Sequence, residues 1–384
     1  MSLRDRPGAY ARLVRMPAGL TVPGDILAGA AAGGAAISPR LLGPVASSLC
    51  LYWGGMALND YVDRSVDAEE RPERPVPAGE ISPAAALGTA VVLTASGLGL
   101  AVLGEGRRGL ATALPLTAAV WAYDTVAKDH AAGPLVMGAA RGLDVLRGAG
   151  AGRPAAALPA ALALALHTAS VTALSRHETV PAPTPSAGVG GPRSRGAWSG
   201  CDAGPGDGAT GSAPAADASG ATGPSGAPAG SGGPETEEPW EECLAAGAGS
   251  TGRGREPGRR AADSPTGISG RPSGGPRAAA VGSMAAAGVV GCTVVLAADG
   301  AGRRDRAVAS ALAAGFLTAA GRGQLAALRK PTPYHVRRAV AAAIHAMVPL
   351  QSALMAAAGR SGAGLALLAA YPLTRRLSRK VSPT

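Results

Sequence analysis

The sequence is poor in charged and aromatic residues. Asp, Glu, Lys and Arg make up 16% of the 384 residues, and Phe, Tyr and Trp make up 3%, with a single Phe. The four cysteines are far apart and form neither a CxxC pair nor a metal-binding spacing, which excludes a disulfide framework and a cysteine metal centre as predictions. Hydrophobic residues, by contrast, make up 47% and are concentrated in long runs.

These apolar runs predict an all-α polytopic membrane bundle. They recur with lengths of about 17 to 22 residues, enough to cross a hydrocarbon core of about 30 Å. A soluble protein of this size would show several amphipathic helices with charged faces instead. We expect nine or ten transmembrane helices around a central cavity. The expected spans are 20–37, 41–58, 83–103, 108–123, 133–150, 154–174, 280–298, 306–321 and 336–357, with a tenth at about 362–374.

The basic residues indicate how the chain is oriented in a cell membrane. The net charge is +10 and the pI is about 10.1. Nucleic acid is not predicted as a partner, because the basic residues lie between apolar runs and not on one stripe. They are concentrated in alternate loops, which by the positive-inside rule places the N-terminus and the loop after the second span in the cytoplasm.

One block of the sequence differs from the rest. Residues 180–279 are rich in Gly, Pro, Ala and Ser with scattered charge, a composition that buries too little apolar surface to offset the entropy cost of folding. We predict a disordered cytoplasmic insertion there. Residues 1–179 and 280–384 then form the first and second parts of one membrane domain.

An acidic cluster follows the second span. It reads Asn59-Asp60-Tyr61-Val62-Asp63-Arg64-Ser65-Val66-Asp67, directly after an apolar helix. If the helix continues, residues four apart lie about 40° from one another, so Asn59, Asp63 and Asp67 share one stripe beside Asp60. Clustered carboxylates repel one another unless a cation is bound. Mg²⁺ prefers such oxygen ligands and is usually completed by substrate phosphates. The alternative is a solvated acidic helix end.

A basic loop comes next. Arg71 and Arg74 lie close to the carboxylates in sequence, and prolines with Gly79 break the helix. Ser82 is expected to cap the following helix. Arginines near a bound diphosphate would stabilise the charge on a leaving group.

The pattern NDxxDxxxD followed by RPxRPxxxGxIS resembles the first signature of the UbiA superfamily of intramembrane prenyltransferases. The resemblance covers roughly 10–178 and 280–380. It implies Mg²⁺-dependent transfer of an isoprenoid group from a prenyl diphosphate to an aromatic or other lipophilic acceptor in the membrane. Lys128, in a sequence similar to the family's Y…K element, would contact the diphosphate; the alternative is a lysine that snorkels to the interface. The implied catalytic residues are Asp60, Asp63, Asp67 and Lys128, and the implied metal ligands are Asn59, Asp63, Asp67 and Glu178.

Other segments resemble the EboC-like subgroup of this superfamily. They contain Arg15 before the first span, Asp25 within it, and Arg141 with Asp144 in the fifth. Ionisable residues inside the membrane usually face the protein interior or a water-filled cavity. The resemblance implies that Arg15, Arg141 and Asp144 bind substrate together with Asn59, Arg71 and Arg74. The alternative is that Arg141 and Asp144 pair with each other.

The second acidic motif of the superfamily is degenerate here. Where the family carries two or more aspartates after the sixth helix, this chain has Ser175-Arg176-His177-Glu178, with Glu178 as the sole carboxylate. Glu178 would hold any second ion, or Arg176 would replace one metal's charge. Tyr52 and Trp53 either face the cavity or, as we favour here, lie at the interface or against lipid.

Two rival functions are compatible with these residues. A transporter would use Asp25, Arg141 and Asp144 as an ion path. A non-catalytic partner in a lipid or secondary-metabolite pathway would explain the weakened second motif.

Overall fold

A computed structural model describes residues 6–178 and 275–381. Within these ranges every regular element is helical and there is no β-strand, which confirms the predicted all-α fold for the described part of the chain. The helices are α1 Arg6–Leu13, α2 Val22–Ala32, α3 Leu42–Val62, α4 Arg64–Glu70, α5 Pro83–Thr125, α6 Gly133–Gly148, α7 Leu158–Ser175, α8 Pro276–Ala297, α9 Arg303–Arg329, α10 Pro333–Ala357 and α11 Ser361–Val381.

Helix α5 contains two of the predicted spans. Its 43 residues would extend about 65 Å, roughly twice the thickness of a hydrocarbon core. Gly106 interrupts it with φ 63° and ψ −144°, a conformation that glycine adopts without steric cost. The helix begins as the sequence predicts, because the Ser82 side chain accepts a hydrogen bond from Ala85 N–H at 3.2 Å and Pro83 follows.

Within residues 6–178 and 275–381, five helical stretches are long and apolar enough to cross a membrane by length and composition, which makes the protein a multi-pass membrane protein. Their mean hydropathy lies between 1.4 and 2.0. The first predicted span is shorter than expected: α2 has 11 residues, because Met16–Thr21 forms a separate 3-10 helix and the chain turns at Gly34, whose φ is 73°. The five stretches are Pro39–Val62, Pro83–Thr125, Pro154–Ser175, Pro276–Ala297 and Pro333–Ala357.

Small residues let the helices approach closely. A Cβ at Gly29 of α2 would lie 1.8 Å from the Val145 carbonyl oxygen of α6, and one at Gly148 would lie 2.1 Å from that of Ile26. The backbones of α2 and α6 therefore touch, as in other membrane helix pairs with small residues at the interface. This contact carries Asp25 of α2 to the same level as the charged residues of α6.

The predicted insertion at 180–279 lies outside the described residues, apart from 275–279. There the structure corrects the boundary, since α8 already begins at Pro276.

Candidate active site

The acidic cluster lies where α3 passes into α4. Backbone hydrogen bonds continue through it: Asp63 N–H donates to Asn59 O, Asp67 N–H to Asp63 O and Arg71 N–H to Asp67 O, each at 2.8 Å. The chain therefore keeps its four-residue repeat across the junction, as the sequence predicts. Asn59, Asp60, Asp63 and Asp67 are held on neighbouring turns by this repeat.

Each carboxylate of the cluster is paired with a basic side chain. Arg15 Nη2 lies 2.7 Å from Asp60 Oδ1, and Arg74 Nη1 lies 3.6 Å from the same oxygen. Arg74 Nη1 is also 2.5 Å from Asp67 Oδ2. The structure thus brings Arg15 and Arg74, predicted from separate segments, to one site.

Lys128 pairs with Asp63. It lies in the turn Ala127–Asp129 after α5, its side chain is 5% exposed, and its Nζ contacts Asp63 Oδ1. The interpretation as a snorkelling lysine is therefore wrong for this structure. Arg176 Nη2 donates to Lys128 O at 3.0 Å and also to His130 O. Arg176 thus fastens the turn that carries Lys128.

Asn59 links the cluster to a carboxylate that the sequence analysis did not single out. Its Nδ2 donates to Asp63 Oδ2 at 3.0 Å and lies 3.5 Å from Asp124 Oδ1, while its Oδ1 accepts from Arg15 at 3.1 Å. Asp124 is 6% exposed. Its position between Tyr123 and Lys128 in the Y…K element was the available signal.

Glu178 follows α7 at the end of the first described range. Burial raises the pKa of its carboxyl group to about 8, while the guanidinium groups of Arg71 and Arg337 act in the opposite direction. Its Oε1 is buried and has no hydrogen-bond partner among the described residues. Burial also lowers the pKa of His177.

The cluster offers the oxygen donors that Mg²⁺ prefers, and its carboxylates are paired with basic side chains. In the described ranges, no three His, Cys, Asp or Glu side chains lie close enough to enclose a metal. Asp67 Oδ1, Arg71 Nη1 and Arg74 Nη2 are buried, and none has a hydrogen-bond partner in the described part of the chain. Asp67 Oδ1 and Arg71 Nη1 lie 3.8 Å apart as an ion pair, longer than a hydrogen bond. These three atoms therefore keep hydrogen-bonding capacity that a cation bound with an anionic group would use.

A cavity of about 120 Å³ opens beside the cluster. Arg15, Asn59 and Asp124 line one end, and Tyr52 and Arg141 line the other. Trp53 also lines it, so our preference for interfacial or lipid-facing Tyr52 and Trp53 was wrong. Three threonines, Thr21, Thr168 and Thr172, also line the cavity. Apolar side chains form much of the remaining wall: Val22, Met56, Val120, Met137, Val171, Ile344 and Met347.

Arg141 pairs with Asp25 and not with Asp144. Arg141 Nη1 contacts Asp25 Oδ2, and its Nη2 lies 2.5 Å from Thr21 Oγ1. The predicted pairing of Arg141 with Asp144 is wrong because the close crossing of α2 and α6 brings Asp25 to Arg141. Asp144 accepts a hydrogen bond from Ser48 Oγ at 2.5 Å.

The match to a family profile covers this site. Residues 21–180 match the profile of the UbiA prenyltransferase family, a range that includes every predicted site residue except Arg15. The match agrees with the resemblance of the first signature to this superfamily.

The similar curated proteins carry one name, digeranylgeranylglyceryl phosphate synthase. That of Methanothrix thermoacetophila is 53% identical over 49 residues, which are 13% of this chain and 18% of that protein. That of Methanopyrus kandleri is 41% identical over 101 residues, 25% of this chain and 35% of that protein. That of Natronomonas pharaonis is 33% identical over 100 residues, which are 26% of this chain and 36% of that protein. The chain therefore spans about a third or less of these relatives' length.

A solved structure shows the same fold. It belongs to work on the biosynthesis of digeranylgeranylglyceryl phosphate synthase in membranes, and it is 14% identical with a TM-score of 0.53. The match covers 92% of this chain and 99% of the other. At this identity the likeness supports the helical architecture alone. The resemblance to the EboC-like subgroup stays a prediction.

Proposed function

We propose that this chain is an intramembrane prenyltransferase, which transfers an isoprenoid group from a prenyl diphosphate to a lipophilic acceptor. One observation carries the proposal: a paired acidic and basic cluster stands at one end of a cavity with an apolar wall. The cluster suits the diphosphate with its cation, and the wall suits the isoprenoid. The match to the UbiA family profile and the named relatives support the same reaction class.

Asn59, Asp63 and Asp67 would hold a magnesium ion, with Glu178 available to a second. Asp67 Oδ1 is buried and accepts no hydrogen bond from a described residue, although Arg71 Nη1 lies 3.8 Å away. This oxygen and the oxygen-only donor set fit the metal. When bound, Mg²⁺ supplies positive charge to the diphosphate leaving group.

The chain's own cations complete the neutralisation of charge. Arg71 and Arg74 each have a buried guanidinium nitrogen that no other described residue contacts by a hydrogen bond. Together with Lys128 they would bind the diphosphate oxygens and stabilise the charge that develops as the C–O bond breaks. Asp60, which pairs with Arg15 and Arg74, would fix the direction of both guanidinium groups.

The cavity would protect the reacting carbon. When the C–O bond breaks, its electron pair leaves with the diphosphate, a bond forms from the acceptor to the allylic carbon, and the acceptor loses a proton. The apolar wall excludes water that would otherwise capture the cation. The aromatic rings of Tyr52 and Trp53 line the cavity and would stabilise positive charge on the isoprenoid.

We propose ten membrane crossings, the upper of the two predicted counts, of which five contain stretches long and apolar enough to span by themselves. Those crossings would be α2, α3, both halves of α5, and each helix from α6 to α11. We place the N-terminus and the acidic cluster in the cytoplasm, because Arg12, Arg15, Arg71 and Arg74 then follow the positive-inside rule.

A diphosphate-release assay tests the function. Membranes containing the chain are incubated with labelled geranylgeranyl diphosphate and Mg²⁺, for the wild type, Asp63→Ala and the exposed control Glu69→Gln. Asp63→Ala is expected to reduce metal-dependent release about 10²- to 10³-fold, as loss of a group that stabilises transition-state charge does. Equal release by wild type and Asp63→Ala would contradict the proposal.

Transport is a second candidate, favoured by a buried polar chain. Ser48 Oγ contacts Asp144 and lies 3.0 Å from Arg147 Nη1, and Arg147 Nη2 lies 3.5 Å from Glu105, whose side chain is 22% exposed. Such a chain resembles an ion path. Proton flux into sealed vesicles that is abolished by Asp144→Asn would support transport, and absence of flux would contradict it.

A further inference from the structure

Glu178 is the sole carboxylate of the second motif, and its neighbours bear on whether a second metal ion fits there. The guanidinium groups of Arg71 and Arg337 lie close enough to act on the charge of its carboxyl group, and both are positive. A magnesium ion at this position would add a double positive charge beside these two cations. Within the described ranges, no group of three His, Cys, Asp or Glu side chains is close enough to enclose a metal. The residues present therefore do not fit a second metal ion.

Arg71 lies between the carboxylates of the two motifs. Its Nη1 is 3.8 Å from Asp67 Oδ1, which is an ion-pair distance and too long for a hydrogen bond. Asp67 Oδ1, Arg71 Nη1 and Glu178 Oε1 are all buried, and none has a hydrogen-bond partner in the part of the chain that the structure describes. Arg71 is therefore placed by charge from both sides, while its N–H group keeps the capacity to bind an anion.

Helix packing brings Arg337 to the same place. Leu174 of α7 and Val336 of α10 belong to one buried hydrophobic cluster. Glu178 comes shortly after α7 ends at Ser175, and Arg337 directly follows Val336. The two charged side chains therefore start from adjoining helix ends. Arg337 is exposed, so its guanidinium group is able to turn toward a ligand bound beside Glu178.

Arg176, the arginine within the second motif, has other partners. Its Nη2 donates to Lys128 O at 3.0 Å and also to His130 O. The replacement of a metal's charge by an arginine therefore falls to Arg71 and Arg337. A guanidinium group suits this role, because its planar fork of N–H donors matches phosphate oxygens and its charge is permanent.

We propose that this chain binds its donor diphosphate with one divalent cation, and that Arg71 and Arg337 supply the positive charge of a second. Although its oxygen is available to an ion, Glu178 acts as the counter-charge that holds the two guanidinium groups side by side. This inference rests on the proposed prenyltransferase function and narrows it to a single-metal site. The metal at the acidic cluster is unaffected by it.

Counting bound metal ions tests this site without requiring turnover. Mn²⁺ serves as a paramagnetic substitute for Mg²⁺, and electron paramagnetic resonance counts the ions bound per molecule of a thiolodiphosphate analogue of geranylgeranyl diphosphate. Isothermal titration gives the affinity for this analogue at saturating Mn²⁺. The purified full chain in detergent is compared with Glu178→Gln, Arg71→Gln and Arg337→Gln. The matched control is Arg338→Gln, since Arg338 is the next residue of α10 and is also exposed.

We expect one Mn²⁺ per bound analogue in the wild type and in Glu178→Gln. Arg71→Gln should weaken the analogue about 10- to 150-fold, the usual effect of a hydrogen bond to a charged group. Arg337→Gln should weaken it by a smaller factor, about 3- to 10-fold, because solvent screens an exposed charge. Arg338→Gln should keep the wild-type affinity.

Two Mn²⁺ per analogue in the wild type would overturn the proposal, and a fall from two to one in Glu178→Gln would make Glu178 a metal ligand. Wild-type affinity in Arg71→Gln or Arg337→Gln would also overturn it. So would equal losses in Arg337→Gln and Arg338→Gln, since the effect would then come from general surface charge. Failure of the proposed function has a different signature, because the wild type would then bind no analogue at any concentration of Mn²⁺.

Discussion

Replacing Lys128 with methionine should change the affinities for magnesium and for the donor in opposite directions. Lys128 is 5% exposed and pairs with Asp63, which is 14% exposed. In the proposed site, the lysine of this intact pair would compete with the metal for Asp63. With Asp63 given to the metal, Lys128 would be available to contact the diphosphate. Lys128→Met would remove both the competitor of the metal and a ligand of the diphosphate.

The size of each effect follows from the burial of the pair. Two unit charges about 4 Å apart attract by about 4 kcal/mol at an effective dielectric constant of about 20. Solvent screening and side-chain rearrangement offset most of this attraction, so we take a net value of about 1–2 kcal/mol for the pair. In the absence of donor, Mg²⁺ should therefore bind Lys128→Met roughly 5- to 30-fold more tightly than the wild type. A hydrogen bond to a charged group contributes about 1.5–3 kcal/mol, so donor binding should weaken roughly 10- to 150-fold.

Isothermal titration on purified protein in detergent measures both quantities. Mg²⁺ is titrated alone, and a non-hydrolysable thiolodiphosphate analogue of the donor is titrated with Mg²⁺ present. Lys330→Met, which alters an exposed lysine after α9, is the control and should match the wild type in both titrations. If Lys128→Met weakens Mg²⁺ as well as the donor, or leaves both unchanged, the proposed exchange of partners at Asp63 is refuted.

Three further predictions concern the surroundings of the site. Arg176→Met should raise the KM for the donor about tenfold with little change in kcat, because the turn that it fastens then loosens; Arg176→Lys should recover part of the loss, whereas a change in kcat alone would contradict this role. The folded chain favours the neutral carboxyl of Glu178, whose pKa is raised to about 8, so the stability from this group is present below its ordinary pKa of 4.5 and is lost as the pH rises through about 8. Relative to the wild type, the melting temperature of Glu178→Gln should therefore rise between pH 4.5 and about pH 8 and stay level above that range. A difference in melting temperature that does not change with pH would contradict the raised pKa of Glu178. Gly29→Ala should destabilise the fold by about 1–3 kcal/mol, since its Cβ meets the carbonyl of Val145, while Gly282→Ala meets nothing within 4 Å and should not lower the melting temperature.

Local features of the site and fold follow well from the sequence. The apolar runs place the helices, Ser82 and Pro83 mark the start of α5, and the four-residue spacing from Asn59 to Asp67 gives one face at the α3–α4 junction. Each of these depends on residues within a few turns of one another. Helical periodicity and capping chemistry are sufficient for them.

Side-chain pairs between residues distant in sequence could not be predicted from the sequence. Arg15 with Asp60, Asp25 with Arg141, and Gln351 with Asp25 are pairs that helix packing creates, and no local pattern specifies them. The alternative that paired Arg141 with its near neighbour Asp144 was therefore wrong, because the partner of Arg141 is the distant Asp25. Trp53 on the cavity wall was misjudged for the same reason, because the direction that a side chain faces depends on how the helices are arranged.

The central claim is that Asn59, Asp63 and Asp67 hold a divalent cation at the mouth of the cavity. Anomalous scattering from crystals of the chain grown with Mn²⁺ and the thiolodiphosphate analogue tests it directly. We predict a peak within about 2.5 Å of oxygen atoms of Asp63 and Asp67, allowing for a larger ion than Mg²⁺, which binds at about 2.0–2.1 Å. A peak elsewhere in the protein, with these carboxylates still paired to Lys128 and Arg74, would contradict the claim.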